Sequence, residues 1–312
     1  VSYKGIHSID TLYVRPGLDA SHLIIQDGRA AFVDTGPSSG VPQLLAALDR
    51  LDIAPEQVDY VLLTHVHLDH AGGAGLLMQS LPNARAVVHP RGARHMIDPS
   101  KLIAGSIEVY GEDQFRELYG DIVPIPEERV LIAEEGMKLS LPGREFELIH
   151  TPGHALHHYS VIDRFAQAVF PGDNFGLSYR EFDTRKGEFI FPTTTPVHFD
   201  PDAMHATIHR LMSYKPQAMY LTHFGRVTDL ERLAADLHEC VNAFVALARK
   251  HEDDPDRGVR MRRGMFEYLT ERLERHGFEA DNSRLHRLLD TDVELNTQGL
   301  EVWLERGPPS SR

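Results

Sequence analysis

The stretch THVHLDHAGG, Thr64 to Gly73, constrains this chain more than any other. It places His65, His67, Asp69 and His70 within six residues, directly after the largely apolar run that starts at Val58, interrupted by Asp59 alone. On a helix, positions two apart point to nearly opposite sides, so His65 and His67 do not suit a helical metal site of the HExxH kind. On extended backbone they share one side, and a turn near Leu68 sends Asp69 and His70 to a neighbouring point. The pattern therefore belongs on a loop at the end of a buried strand, and its geometry serves two metals better than one. Imidazoles and a carboxylate crowded together desolvate or repel one another, whereas a divalent cation makes the cluster favourable. Gly72, Gly73 and Gly75 let the chain turn tightly into a following helix.

The surrounding sequence supplies a frame for such a loop. Leu23 to Ile25 and Ala30 to Val33 are short apolar runs joined by Asp27-Gly28, a strong hairpin signal. A further strand is expected around Val87, and strands alternating with helices indicate an α/β architecture. From Asp98 to Arg129 the chain is polar with scattered aromatics and prolines, and no element can be assigned. Strand-like runs resume near Leu148, Val169 and Tyr220, each with a His or Asp at or near its end. In α/β folds ligands gather at the carboxyl ends of strands. Beyond His223, Leu230, Leu233, Leu237, Val241 and Phe244 keep the spacing of one helical face, with Thr228 and Glu231 as a capping-box start. Shorter helices are expected at Met265 to Leu273, Leu285 to Leu289 and Leu300 to Leu304. The expected division is a catalytic domain over 1–227 and a helical C-terminal extension over 228–312, ending in a disordered GPPSSR tail.

Composition removes several classes of function. The 312 residues carry a net charge of −14, which repels nucleic acid. Cys240 is the single cysteine, so an internal disulfide and a multi-thiolate zinc site are both excluded, and a reducing cytoplasm is the expected setting. No apolar run approaches the roughly 18 to 20 residues of a membrane-spanning helix, so no membrane association is expected. Histidine is the unusual component, at 19 residues unevenly distributed.

The HxHxDH pattern after a buried strand resembles the signature of the metallo-β-lactamase fold superfamily. Other motifs of that family follow in order between Val33 and Arg226: Asp34-Thr35-Gly36, TPGHALHH with His154, FPGD with Asp173, and LTHFG with His223. The resemblance implies a four-layer αββα sandwich. It also implies two divalent ions, the first on His65, His67 and His154, the second on Asp69, His70 and His223, with Asp173 bridging; imidazole with carboxylate suits zinc, iron and manganese alike, and zinc, the commonest, is preferred. In such a site the paired metals acidify a shared water to supply hydroxide, and Asp69 orients it as well as holding a metal. Asp34, His157 and His158 are candidates to support the ligand rings.

The short GHAxHH form resembles glyoxalase II-like and lactonase-like hydrolases and a quinolone-signal thioesterase that carries a helical extension. Hydrolysis of a small-molecule ester, thioester or lactone is the leading expectation. Alternatives are a phosphodiesterase, a mononuclear iron persulfide dioxygenase, and a regulatory binding protein with residual hydrolase activity. Zinc β-lactamases lack the bridging aspartate that Asp173 supplies, and flavodiiron proteins carry glutamate at the position of His67, so both roles are disfavoured.

Three features stay open at this level. Phe175, Tyr179, Phe182, Phe189, Phe191 and Phe199 either line an apolar pocket or form a packed hairpin and turn. The RGVRMRR segment, with Arg257, Arg260, Arg262 and Arg263, either contacts an acidic substrate group or is a solvated helix face paired with acids. The helical extension either caps the active site or builds a homodimer interface.

Overall fold

The computed structural model describes residues 3–194 and 198–306, with side chains at all of them except 109 and 110. The tail at 307–312, expected to be disordered, lies outside the described residues. The chain forms two compact units. The first comprises Val1–Thr151, His157–Gly172 and Lys215–Thr228, and the second Pro152–Leu156, Asp173–Tyr214 and Asp229–Arg312. The second unit thus takes in stretches that the sequence-based division placed with the catalytic domain.

The first unit holds two six-stranded sheets. One is built from β1 (Ile6–Asp10), β2 (Ala20–Gln26), β3 (Arg29–Val33), β4 (Val58–Leu63), β5 (Arg85–Val88) and β6 (Val130–Ile132), side by side in that order. Strands β1 to β3 are antiparallel, and β3 to β6 run parallel. The other sheet has the order β12, β11, β10, β9, β8, β7, from β7 (Lys138–Leu141), β8 (Arg144–His150), β9 (Tyr159–Asp163), β10 (Ala168–Phe170), β11 (Ala218–Leu221) and β12 (Gly225–Val227). Only β10 and β11 pair in parallel there.

Alternation along the strands builds two apolar layers. Ile24, Ala31, Val33, Leu62 and Val87 meet Phe146, Leu148, Val161 and Phe170 between the sheets. The other face, with Leu23, Phe32, Val61, Leu63 and Val88, packs on Leu44, Leu48, Leu77 and Met96. These come from helices α1 (Val41–Arg50), α3 (Ala74–Ser80) and α4 (Ala93–Ile97); α2 (Leu68–Ala71) lies between the first two. A parallel strand buried on both faces needs apolar residues on both, which is why β4 is apolar through its buried half, Val61 to Leu63, with Asp59 confined to its partly exposed start. Two mixed sheets flanked by helices are the architecture that the family resemblance implied. The β2–β3 hairpin closes at Asp27-Gly28 as expected, both residues at positive φ (46° and 74°), as a tight two-residue turn requires.

The stretch left unassigned in the sequence forms α5 (Ser100–Tyr110) and α6 (Glu112–Tyr119), separated by Gly111 at φ 78°. Phe115 and Tyr119 are buried against Leu68, with Tyr13, Leu102, Ile103 and Ile107 partly buried around them.

The second unit contains α7 (Pro201–Ser213), α8 (Leu230–Lys250), α9 (Arg257–His276) and α10 (Asn282–Arg306). The short C-terminal helices expected from sequence are two long ones. Polar residues inside α10 are satisfied within the helix, Asn296 Nδ2 donating to Asp292 O (2.9 Å) and Thr297 Oγ1 to Val293 O (2.7 Å), so they do not break it. The expected cap at Thr228 also shifts, with Asp229 at the cap position and its carboxylate accepting from Arg232 Nε (2.6 Å).

The aromatic segment after Asp173 is packed. Phe182 meets Phe278 edge-on at 5.3 Å, Phe199 meets Trp303 at 6.3 Å, and Tyr179 meets Phe191 at 6.0 Å. Backbone groups of the segment are bonded to the helices: Thr194 N donates to Asn296 Oδ1 (2.6 Å) and Arg272 Nη1 to Ile190 O (3.1 Å). The basic cluster is a face of paired charges, Arg260 with Asp254, Arg262 with Glu294, Arg263 with Glu267 and Arg257 with Glu305.

Candidate metal centre

In the first unit every candidate ligand follows the carboxyl end of a strand. His65 and His67 leave β4, Asp69 and His70 lie in the short α2, and His223 follows β11. His65 and His70 are fully buried and His223 nearly so. His65 Nε2 lies 2.9 Å from His67 Nδ1, and the rings of His65 and His70 are 4.0 Å apart. Asp69, His70 and His223 each offer a ligand atom within 4.8 Å of the others. Asp69 Oδ2 lies 3.4 Å from His223 Nε2 and 3.9 Å from His70 Nε2.

The far side of each ring explains these orientations. Asp34, fully buried at the end of β3 with φ 54°, is an acceptor hub. Its Oδ1 takes the Thr64 N–H (2.8 Å), and its Oδ2 takes Thr64 Oγ1 (2.8 Å), His70 Nδ1 (2.8 Å) and Thr222 Oγ1 (2.9 Å). Because a carboxylate only accepts, His70 carries its proton on Nδ1 and turns a lone pair toward Asp69. His223 Nδ1 donates to Leu18 O (2.9 Å), which likewise leaves its Nε2 lone pair facing Asp69. Two lone pairs converging on a carboxylate oxygen are mutually repulsive without a cation, so this donor set fits a divalent ion.

His154 and Asp173 lie in the second unit, four residues after β8 and three after β10. His154 Nδ1 faces Thr193 O (3.4 Å), its backbone N–H donates to Asn174 Oδ1 (3.0 Å), and its Nε2 lies 3.4 Å from Asp173 Oδ2. This is again an imidazole lone pair set against a carboxylate. Gly153 is required beside it, at φ 139°, because an added Cβ would meet the Met204 backbone at 2.6 Å. The structure therefore gathers five of the seven candidate ligands in the first unit and pairs the other two in the second. His158 packs its ring 4.9 Å from that of His65 and bonds Thr151 Oγ1 (2.9 Å), while half-buried His157 packs edge-on to His67 at 5.4 Å.

Sequence reasoning missed Thr64, Thr222, Leu18 and Asp19. The signal available was the Thr-His pair at the end of two strands, Thr64-His65 and Thr222-His223. Asp19 is fully buried and accepts from Thr11 Oγ1 (2.7 Å), fixing the loop whose Leu18 carbonyl orients His223. Burial pushes its carboxyl up to about 7, against the lowering pull of His223 and His70. His22 is held between Ser8 Oγ and Leu221 O, and burial lowers it to about 4.

A family model described as the metallo-beta-lactamase superfamily matches residues 14–223, well over half of the chain. The chain belongs to the metallo-β-lactamase superfamily. It is 28% identical over 231 residues to a metallo-β-lactamase fold-containing protein of Sulfurisphaera tokodaii, covering 72% of this chain and 80% of that one. It is 27% identical over 210 residues to a hydroxyacylglutathione hydrolase of Aeromonas hydrophila, covering 67% of this chain and 62% of the enzyme. The chain thus spans about three fifths of that relative. In fold it is similar to a superfamily protein of Thermus thermophilus, with a TM-score of 0.67 at 19% identity over 97% of this chain and 93% of the other. An archaeal superfamily structure from Sulfolobus tokodaii gives 0.65 at 23% identity over 96% and 99%. Among the described residues no helix is long and apolar enough to cross a membrane.

Proposed function

We propose that this chain is a dinuclear metal-dependent hydrolase acting on an ester, thioester or lactone. His65, His67 and His154 would hold the first cation and Asp69, His70 and His223 the second, with Asp173 shared between them. The observation that carries this reading is the orientation of the rings. His70 and His223 are tied through Nδ1 to Asp34 and Leu18, and their Nε2 lone pairs face Asp69. Mixed imidazole and carboxylate donors suit zinc, iron and manganese, and zinc is the preferred occupant.

Two divalent cations bound there supply Lewis acidity toward a carbonyl oxygen and lower the pKa of water. The rest falls to the chain. Asp69 is the most exposed group of its set, its side chain 25% exposed against 7% for His223 and none for His70, so it can face an incoming water as well as a metal. Through its other oxygen it accepts a hydrogen bond from that water and aligns the water's oxygen on the carbonyl carbon. Asp34 and Leu18 keep the rings fixed during the reaction, so little reorganisation is required at the transition state. Relatives named as hydroxyacylglutathione hydrolases support an acyl compound as substrate.

The test is a panel of small esters, thioesters, lactones and phosphodiesters assayed with the wild type and Asp69→Ala. The reading requires turnover of a carbonyl substrate that drops by about 10²- to 10⁴-fold in the variant. Turnover confined to phosphodiesters, or oxygen uptake with a single iron per chain, would replace it with one of the other chemistries of this fold.

A further inference from the structure

We propose a separate divalent-metal site at the solvent-accessible seam between α7 and α8, formed by His205, His209 and His238. None of these belongs to the seven candidate ligands above, and both helices lie within the second unit. His205 and His209 are one helical turn apart on α7, a spacing that presents two imidazoles on one face. His238 of α8 meets them, its ring 4.8 Å from that of His205 and 4.4 Å from that of His209. His205 and His238 are partly buried and His209 is exposed, so an ion has access from solvent.

The hydrogen bonds prepare the ligand atoms. His205 Nε2 lies 3.1 Å from Asn242 Oδ1, an acceptor only, so that nitrogen carries the proton and Nδ1 presents a lone pair. A ligating histidine is commonly fixed by just such a bond from its other ring nitrogen. That lone pair faces His238 Nδ1 at 2.6 Å. Two ring nitrogens this close share a hydrogen, donated by His238 Nδ1 to the His205 lone pair, and a metal ion entering here would take that hydrogen's place. Zinc–nitrogen bonds of about 2.0–2.1 Å at tetrahedral angles set ligands roughly 3.3 Å apart, so metal entry spreads the pair by under about 1 Å. The His209 ring lies 4.4 Å from that of His238, but its nitrogens are not yet gathered with those of His205 and His238, so the third bond would require its exposed side chain to rotate. Three imidazoles without a carboxylate select borderline ions, Zn²⁺, Ni²⁺ or Cu²⁺, over Mg²⁺ or Ca²⁺.

The position gives the ion a consequence. Helix α7 also holds the segment that carries His154: Thr207 Oγ1 donates to Pro152 O (2.6 Å), and Asp200 N to Gly153 O (2.8 Å). An ion clamping α7 to α8 steadies that segment.

Zn²⁺ titration of the full chain, monitored by calorimetry, tests the proposal, with the double variant His205→Gln/His238→Gln and circular dichroism to confirm its fold. The wild type is expected to take up one equivalent more than the double variant, and His209→Ala to bind that equivalent at least tenfold more weakly. His67→Ala, altered in the other centre, is expected to keep it. Equal stoichiometry in the wild type and the folded double variant overturns the proposal, as does loss of this equivalent in His67→Ala.

Discussion

The strand-end loops of the first unit and the segment from Asp173 to Phe199 in the second hold their side chains by opposite means. In the first, Thr64, His70 and Thr222 come from separate stretches of chain and converge on one carboxylate, Asp34. In the second, Tyr179, Phe182, Phe191 and Phe199 spread over ring contacts with Phe278 after α9, with Trp303 of α10 and with one another, with a few side chain to backbone bonds between. Convergent polar anchoring fixes direction, which a metal centre needs. Distributed apolar packing fixes position, which a scaffold needs, and it tolerates loss at any one point better.

The sharpest way to break this contrast is Asp34→Ala. It strands buried donors from Thr64, His70 and Thr222, so the loss is expected at about 3–5 kcal/mol in denaturant unfolding, together with loss of metal. A loss under about 1 kcal/mol with full metal content would mean the hub is not one.

Acid probes the same unit through His22. Above pH 6.5 it is neutral in both states. Between pH 6.5 and about 4 only the unfolded chain takes up the proton, so stability falls as pH falls, by up to about 3 kcal/mol over the window. Urea unfolding at pH 7 and pH 5 should show this slope, and His22→Gln should flatten it; an unchanged slope in the variant would assign the acid sensitivity elsewhere.

On the other side of the comparison, Asn296→Ala removes the acceptor for Thr194 N and is expected to cost about 1–3 kcal/mol. Metal content should stay at the wild-type level. Smallest of all is Arg262→Ala, whose partner Glu294 is itself partly exposed, so thermal unfolding should register less than about 1 kcal/mol.

What could be read in the sequence follows the same division. His65, His67, Asp69 and His70 are legible because their spacing is local and only a strand-end loop accommodates it. Thr64 and Thr222 were not recognised, because a threonine before a histidine has no meaning until β4 and β11 bring both to Asp34. Helices α5 and α6 were unreadable because their apolar residues answer to Leu68 and Tyr13, far away in sequence. The aromatic segment allowed two readings because its partners, Phe278 and Trp303, lie about a hundred residues downstream. The C-terminal helices read as helices in the sequence but as shorter ones, since polar residues such as Asn296 and Thr297 look like breaks until their bonds within α10 are seen.

A two-metal hydrolytic centre can be counted by metal analysis of the His205→Gln/His238→Gln protein, purified without added metal and dialysed. That background excludes any ion held between α7 and α8. About two equivalents per chain are expected, with the content falling when Asp173→Ala is added. One equivalent or fewer, or a content that Asp173→Ala leaves unchanged, would contradict a two-metal centre.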